Sequence, residues 1–148
     1  MKNLNLRSLV VGPVMTNCYF LQNKETTELI LVDPGAEAER ISKMIEKLGK
    51  KPVAILLTHG HYDHMMAVNE LRQEWKIPIF ASKAEKETLS NPEINLSLEW
   101  EGRGYTVEAD EYLEDGQEIE LAGSKIRMYL TPGHTAVSYT HLTLPTNS

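Results

Sequence analysis

A polar cluster placed directly after a short apolar run constrains the fold of this chain more than any other feature. Residues 53–57 read VAILL, and residues 58–64 follow as THGHYDH, with three histidines and one aspartate in the last six positions. A run this short, bounded by Pro52 and by the polar cluster, favours a strand buried on both faces over a helix. The polar side chains then lie at the carboxyl end of that strand, where sites collect in open α/β sheets.

The cluster has the composition of a metal site. His59 and His61 flank Gly60, which allows a tight turn that brings both imidazoles to one side. Asp63 and His64 follow and can face a second position, so the cluster suits two adjacent metal ions better than one. Imidazole and carboxylate ligands favour zinc, with iron or manganese as alternatives, because the cluster offers no thiolate. A single histidine near a strand end is usually a surface residue, but four titratable groups beside a buried strand need a partner that offsets their desolvation.

The remaining pattern predicts one α/β domain without an internal repeat. Strands are predicted over residues 4–11, 17–22, 28–32, 53–57, 77–81, 117–121 and 125–130, and helices over residues 36–48, 65–75 and 83–89. Gly49 is expected to end the first helix. Ser82 and Glu85 are expected to form a capping box at the third helix. Residues 91–112 show no clear periodicity and are interpreted as a loop over the site.

Composition excludes several classes of function. The chain has 148 residues, and none of its apolar stretches approaches the roughly 20 residues that span a bilayer. The net charge of −6 and the lack of a basic patch argue against binding of nucleic acid. The N-terminus shows no signal peptide. The single cysteine, Cys18, excludes an internal disulfide and suits a buried small side chain in a reducing compartment. We therefore predict a cytoplasmic protein without a membrane or nucleic-acid partner.

Three segments carry a resemblance to a known family. THGHYDH resembles the HxHxDH signature of the metallo-β-lactamase superfamily. LILVDPG at residues 29–35 is similar to the strand and Asp-Pro-Gly turn that precede the family's first helix, and LTPGHT at residues 130–135 is similar to the strand and turn that deliver its third histidine. With Asn17-Cys18-Tyr19, the likeness covers residues 4–135. The nearest group is the glyoxalase II-like, or hydroxyacylglutathione hydrolase-like, one.

The resemblance implies a fold and an activity. The fold is α/β, a metallo-β-lactamase-like αββα sandwich, of which this chain would hold the first half and the start of the second. The activity is zinc-dependent hydrolysis of a small-molecule ester or thioester by metal-assisted attack of hydroxide. An incomplete, non-catalytic metal-binding product is the alternative. A metal-dependent nuclease of the same fold is less favoured, because it would call for a basic groove or an added nucleic-acid domain.

The resemblance also assigns roles to residues. One or two zinc ions would be held by His59, His61 and His134 at a first position and by Asp63 and His64 at a second. Asp63 would also act in catalysis by orienting the hydroxide. Asp33, at the end of its strand, is expected to hydrogen-bond a ligand histidine. Turn formation ahead of Pro34 and Gly35 is an equally weighted interpretation of Asp33.

The last twelve residues differ from the rest of the chain. Residues 137–148, VSYTHLTLPTNS, contain no charged residue, although 24% of the chain is charged. The family's bridging aspartate and last histidine have no matching position, and VSYTHLTLPT is similar to the conceptual translation of a transposon-type sequencing adapter. We therefore expect a truncated domain over residues 1–136, a non-native read-through tail over residues 137–148, and impaired activity. A genuine divergent tail is the alternative, and His141 is not assigned as a ligand.

Overall fold

Two sheets, and the helices packed against the first of them, position the loop that follows the buried strand. The computed structural model describes the backbone of residues 4–131, 134–139 and 142–143, and the side chains of residues 4–129. The first sheet contains, in spatial order, β1 (Leu4–Val11), β2 (Thr16–Asn23), β3 (Glu28–Val32), β4 (Lys51–Leu57), β5 (Ile79–Ser82) and β6 (Glu111–Leu113). The second contains, in spatial order, β10 (Leu142–Thr143), β9 (His134–Tyr139), β8 (Ser124–Thr131) and β7 (Glu118–Leu121).

The helices are short except for the first. They are α1 (Ala38–Leu48), α2 (Val68–Trp75), α3 (Lys86–Ser90) and α4 (Ser97–Glu101), with 3₁₀ turns at Tyr62–His64 and Lys83–Glu85. The helix α1 ends where predicted, because Gly49 adopts a left-handed conformation with φ 68° and closes the last turn. No helix in the part of the chain that the structure describes is long and apolar enough to cross a membrane.

The apolar runs are continuous because the first sheet is covered on both faces. Leu29 and Leu31 of β3 pack with Ile41 of α1 in one cluster. Their neighbours Ile30 and Val32 point to the opposite face and pack in a second cluster, which contains Ile126 and Met128 of the second sheet. A strand buried in this way reads as an uninterrupted apolar run instead of an alternating one. Each fully buried leucine or isoleucine stabilises the fold by about 1.5–3 kcal/mol.

These layers confirm the predicted α/β fold. The described residues supply a helical layer and two sheets, which are three successive layers of the αββα sandwich. Strands β3, β4, β5 and β6 run parallel to one another. Their carboxyl ends therefore meet at one edge of the sheet, and the residues that follow β3, β4 and β5 lie next to one another there.

Three local predictions were wrong or incomplete. The helix expected from residue 65 begins at Val68, since a 3₁₀ turn precedes it. The capping box at Ser82 is absent: Ser82 Oγ accepts from the backbone N–H of Ala84, while Glu85 accepts from the backbone N–H of Gly60. Residues 91–112 contain α4 and the first two residues of β6 in addition to loop. The sequence pattern missed both elements because each is five residues or fewer.

The expected boundary of a foreign tail falls inside a strand. The backbone of β9 runs from His134 to Tyr139 and pairs with β8, so that Met128 lies opposite Val137. The side chains of residues 137–148 lie outside the described residues, and the domain of residues 1–136 followed by a read-through tail stays a prediction.

Candidate metal centre

The turn after β3 is hydrogen-bonded to the segment that follows β4. The backbone N–H groups of Met66 and Ala67 donate to the carbonyl oxygens of Gly35 and Pro34, each at 3.0 Å. A Cβ atom built on Gly35 would lie 1.9 Å from the carbonyl oxygen of Asp63, far inside van der Waals contact. Residue 35 must therefore be glycine for the two segments to approach this closely.

The carboxylate of Asp33 is the centre of the hydrogen bonding. Asp33 is 1% exposed. Its Oδ1 accepts from the backbone N–H of Thr58 at 2.7 Å. Its Oδ2 accepts from the Thr58 hydroxyl and lies 3.1 Å from Nδ1 of His64, which is itself buried. Since a carboxylate can only accept, Nδ1 of His64 carries the proton in this contact.

The same reasoning fixes the tautomer of His59. The single proton of the Thr58 hydroxyl is donated to Asp33, so the contact of 2.7 Å between Thr58 Oγ1 and His59 Nδ1 requires that Nδ1 donate. The lone pair of a neutral His59 is then on Nε2. The rings of His59 and His64 stack with their centroids 4.4 Å apart. Asp33, His59 and His64 each offer a ligand atom within 4.8 Å of the other two.

The electrostatics of the cluster favour a cation. Burial alone lowers the pKa of His64, but the hydrogen bond that His64 donates to Asp33 and the negative charges of Asp33, Asp63 and Glu85 outweigh it, and the pKa is raised. The carboxylates thus attract positive charge to the position of His64, whether as a proton or as a metal ion. Imidazole nitrogens with carboxylate oxygens at this spacing fit a divalent transition metal.

Asp63 lies on the other side of His64. Its Oδ2 accepts from the Thr16 hydroxyl at 3.0 Å and is 3.4 Å from Nε2 of His64. The side chain of Asp63 is 25% exposed, so it faces both the cluster and solvent. Asp63 can therefore bind a cation or hold a water molecule at the entrance of the site.

His61 and His134 are the remaining two predicted ligands. His61 is exposed, at the start of the 3₁₀ turn, and does not belong to the group of Asp33, His59 and His64. His134 is the first residue of β9, paired with Thr131, and its side chain lies outside the described residues. Of the five predicted ligands, the structure brings together His59 and His64, with Asp63 beside them.

Sequence reasoning missed three residues that contact this loop. Thr16 donates to Asp63, Glu85 accepts from the N–H of Gly60 at 2.7 Å, and the backbone carbonyl of Asn95 accepts from the N–H of Tyr62 at 2.8 Å. They lie on β2, on the turn after β5 and in the segment before α4. No spacing within the sequence links them to residues 58–64, because each contact depends on the packing of separate elements.

Comparison with protein families and curated relatives gives a consistent result. The family model described as the metallo-beta-lactamase superfamily matches residues 11–140. A probable metallo-hydrolase of Bacillus subtilis, YqgX, is 36% identical over 136 residues, which cover 90% of this chain and 64% of the relative. A probable polyketide biosynthesis zinc-dependent hydrolase of Bacillus velezensis, BaeB, is 35% identical over 119 residues, covering 80% of this chain and 47% of the relative. The chain thus spans less than two thirds of the length of either relative.

Solved structures agree with the fold described above. The crystal structure of BLEG-1 B3 metallo-beta-lactamase matches with a TM-score of 0.81 and 30% identity, covering 91% of this chain and 67% of that one. A second crystal structure, TTHA1623 in a di-iron-bound form, matches with a TM-score of 0.70 and 27% identity, covering 89% of this chain and 66% of that one.

Proposed function

Because this chain belongs to the metallo-beta-lactamase superfamily, we propose that it is a metal-dependent hydrolase of a small-molecule ester or thioester. The observation that carries the proposal is the convergence of Asp33, His59 and His64 within 4.8 Å at the carboxyl ends of β3 and β4. A purely structural cluster would not need two stacked imidazoles beside two carboxylates.

We assign the ligands as the sequence predicts them. His59, His61 and His134 would hold one metal ion, and Asp63 and His64 a second. Zinc is the proposed metal, since the relative BaeB is named a zinc-dependent hydrolase, and iron is the first alternative, since TTHA1623 is described as di-iron-bound. Manganese remains compatible with nitrogen and oxygen ligands. When bound, the metal would supply Lewis acidity toward a carbonyl group and make water nucleophilic near neutral pH.

The chain's own residues prepare the ligands. Asp33 has three of its acceptor positions occupied, by two donors of Thr58 and by His64, so it suits the role of orienting His64 better than that of a direct ligand. Asp63 is held by Thr16 and is partly exposed to solvent, so it can accept a hydrogen bond from the attacking water. We therefore propose Asp63 as the catalytic residue and Asp33 as the residue that positions His64.

The residues that line a small cleft beside Asp63 indicate which class of substrate would fit there. The volume of the cleft is about 70 Å³, and its lining includes residues 11–14, at the end of β1 and in the turn that follows. The cleft is also lined by Tyr62, Asp63, Met66 and Glu101. The charged side chains that line it are both acidic, and burial, with the charges of Asp63 and Glu101, raises the pKa of Tyr62, so that its phenol stays neutral. The cleft suits an apolar, uncharged acyl group.

The lining of the cleft bears on the predicted substrate class. A glyoxalase II-like thioesterase remains the specific form of the proposal, but Glu101 in the cleft favours a neutral acyl thioester or ester over an anionic glutathione conjugate. The protein is proposed to act in the cytoplasm without nucleic acid. The free, buried Cys18 is compatible with a reducing compartment.

The test combines metal binding with turnover. The 148-residue chain, stripped of metal, is titrated with zinc and assayed on neutral acyl esters and thioesters, alongside Asp63→Asn. We expect uptake of one to two zinc ions and slow, zinc-dependent hydrolysis that Asp63→Asn reduces at least about 10-fold without shifting the unfolding midpoint. A metal-free protein that takes up no zinc would disprove the proposal. Zinc uptake with no turnover of any substrate would support the non-catalytic alternative.

A further inference from the structure

The metal loop is held at three alternate backbone amides, each by a different element. The N–H of Thr58 donates to Oδ1 of Asp33 at 2.7 Å. The N–H of Gly60 donates to Oε1 of Glu85, also at 2.7 Å. The N–H of Tyr62 donates to the carbonyl oxygen of Asn95 at 2.8 Å. The intervening residues are His59 and His61, so each of these histidines lies between two fixed amides.

The middle contact joins the metal loop to a charged side chain from a separate element. Glu85 is the last residue of the 3₁₀ turn after β5. Its carboxylate accepts from the N–H of Gly60, 25 residues earlier, instead of from an N–H at the start of its own helix. Gly60 is buried, and a Cβ added there would come within 3.0 Å of Thr88 in α3. The peptide between His59 and Gly60 therefore lies directly against the segment that carries Glu85.

A charged acceptor makes this contact stronger than the backbone pairing of Tyr62. Hydrogen bonds to a carboxylate are shorter and about twice as strong as those between neutral groups. A buried N–H that loses its acceptor is destabilised, because no water replaces the bond. Without Glu85, the Gly60 amide would gain a partner only by rotating the peptide, and that rotation would turn both histidines.

We propose that Glu85 is a positioning residue, which fixes the turn between His59 and His61 and so sets the directions of their imidazoles. Glu85 acts through the Gly60 amide and does not itself bind the metal. The inference rests on the proposed function only where metal binding is measured, since the hydrogen bond exists without metal.

The first test measures the hydrogen bond itself by amide hydrogen exchange in the metal-free protein. Glu85→Ala should speed exchange of the Gly60 amide about 10-fold or more, while the buried strand amide of Ile55, which donates to Pro78, should keep its rate. Glu85→Gln keeps an acceptor oxygen and should restore slow exchange at Gly60. Glu87→Ala, an exposed neighbour in α3, is the control. Equal acceleration at Gly60 and Ile55, or none at Gly60, would overturn the proposal.

The second test measures the consequence for the metal site, with Zn²⁺ for affinity and Co²⁺ for its visible absorption. Glu85→Ala should weaken Zn²⁺ binding about 10-fold and shift the Co²⁺ bands, and Glu85→Gln, which keeps the hydrogen bond but without the charge, should restore both most of the way. If Glu85→Gln behaves like Glu85→Ala, the charge of Glu85 matters and its hydrogen bond does not, and the proposal fails. A wild-type protein that binds no Zn²⁺ would instead refute the proposed function, while exchange at Gly60 still decides the role of Glu85.

Discussion

The Oδ2 atom of Asp33 lies 3.1 Å from the Nδ1 atom of His64, and both side chains are almost fully buried. An ionised carboxylate is costly to bury unless it is paired and hydrogen-bonded. Here the donors are Thr58 and His64, both from the loop that follows β4. Folding of the sheet therefore brings Asp33 to this loop, and Asp33 in turn fixes the face that His64 presents to the site.

Replacing Asp33 should lower zinc affinity, whereas a matched replacement far from the site should lower only stability. In Asp33→Asn, the amide keeps one acceptor but cannot serve Thr58 and His64 equally, so zinc affinity should fall about 10- to 100-fold. Asp110→Asn is the matched control, because Asp110 also accepts a backbone N–H, from Ile79 at the opposite end of β5. It should lower the unfolding midpoint without changing zinc affinity. Zinc titration and thermal unfolding of both variants check this, and equal affinities would contradict it.

The sequence predicted the sheet well because the pattern of burial is simple. Residues 53–57 are apolar throughout, and β4 is covered by helices on one face and by the second sheet on the other. A continuous apolar run is what two buried faces require. The end of α1 at Gly49 was equally readable, since a left-handed terminal residue favours glycine.

The segment before β6 could not be predicted because long-range polar contacts hold it. Asn95 and Ser97 are fully buried. The side-chain amide of Asn95 donates to the carbonyl oxygen of Tyr105, and its side-chain oxygen accepts from the N–H of Ser97. Polar residues in a sequence ordinarily indicate exposure, so this buried network leaves no periodic signal. The role of Glu85 was predicted wrongly for a related reason. Its spacing from Ser82 matches a capping box, but its carboxylate accepts from the distant N–H of Gly60.

Gly35 should tolerate no side chain. In Gly35→Ala the new Cβ would overlap the carbonyl oxygen of Asp63, so the turn and the metal loop must move apart, at a cost of about 1–3 kcal/mol. Zinc affinity should fall at least about 10-fold. Gly49→Ala is the control: it carries the strain of a positive φ, but no atom lies within 4 Å of its added Cβ. It should destabilise by about 1–2 kcal/mol and leave zinc affinity unchanged. Denaturant unfolding and zinc titration distinguish the two, and unchanged affinity in Gly35→Ala would show that the loop adapts.

The acidic cleft should discriminate between substrates by charge. We expect faster zinc-dependent hydrolysis of neutral short-chain acyl thioesters than of S-lactoylglutathione, because Glu101, which is not assigned to a metal ion, repels anionic groups. Glu101→Lys should raise the relative rate for the anionic substrate about 5-fold, the effect of roughly 1 kcal/mol from a nearby charge. Glu120→Lys makes the same change of charge at an exposed position of β7 and should leave the ratio unaltered. The measurement is kcat/KM for both substrates, and a preference of the wild-type chain for S-lactoylglutathione would contradict the prediction.

The buried thiol of Cys18 should make stability depend on alkaline pH. Burial, with a smaller effect from the charge of Asp33, raises its pKa well above the ordinary value of 9.0. The unfolded chain then releases the thiol proton at lower pH than the folded chain does. This contribution to stability is complete below about pH 9 and is lost as pH rises toward the folded-state pKa, at up to about 1.4 kcal/mol per pH unit.

The check is urea unfolding of the wild type and of Cys18→Ala at pH 7 and pH 10. The alanine variant should be less stable at pH 7, because it leaves a small cavity in a fully buried position, but it should lose less stability between the two pH values. The tyrosines and lysines titrate in both proteins and cancel in the comparison. The native thiol should also react with iodoacetamide far more slowly than the urea-unfolded one, since the reactive form is the thiolate. Identical losses of stability in the two proteins would mean that Cys18 ionises as readily in the fold as in the unfolded chain.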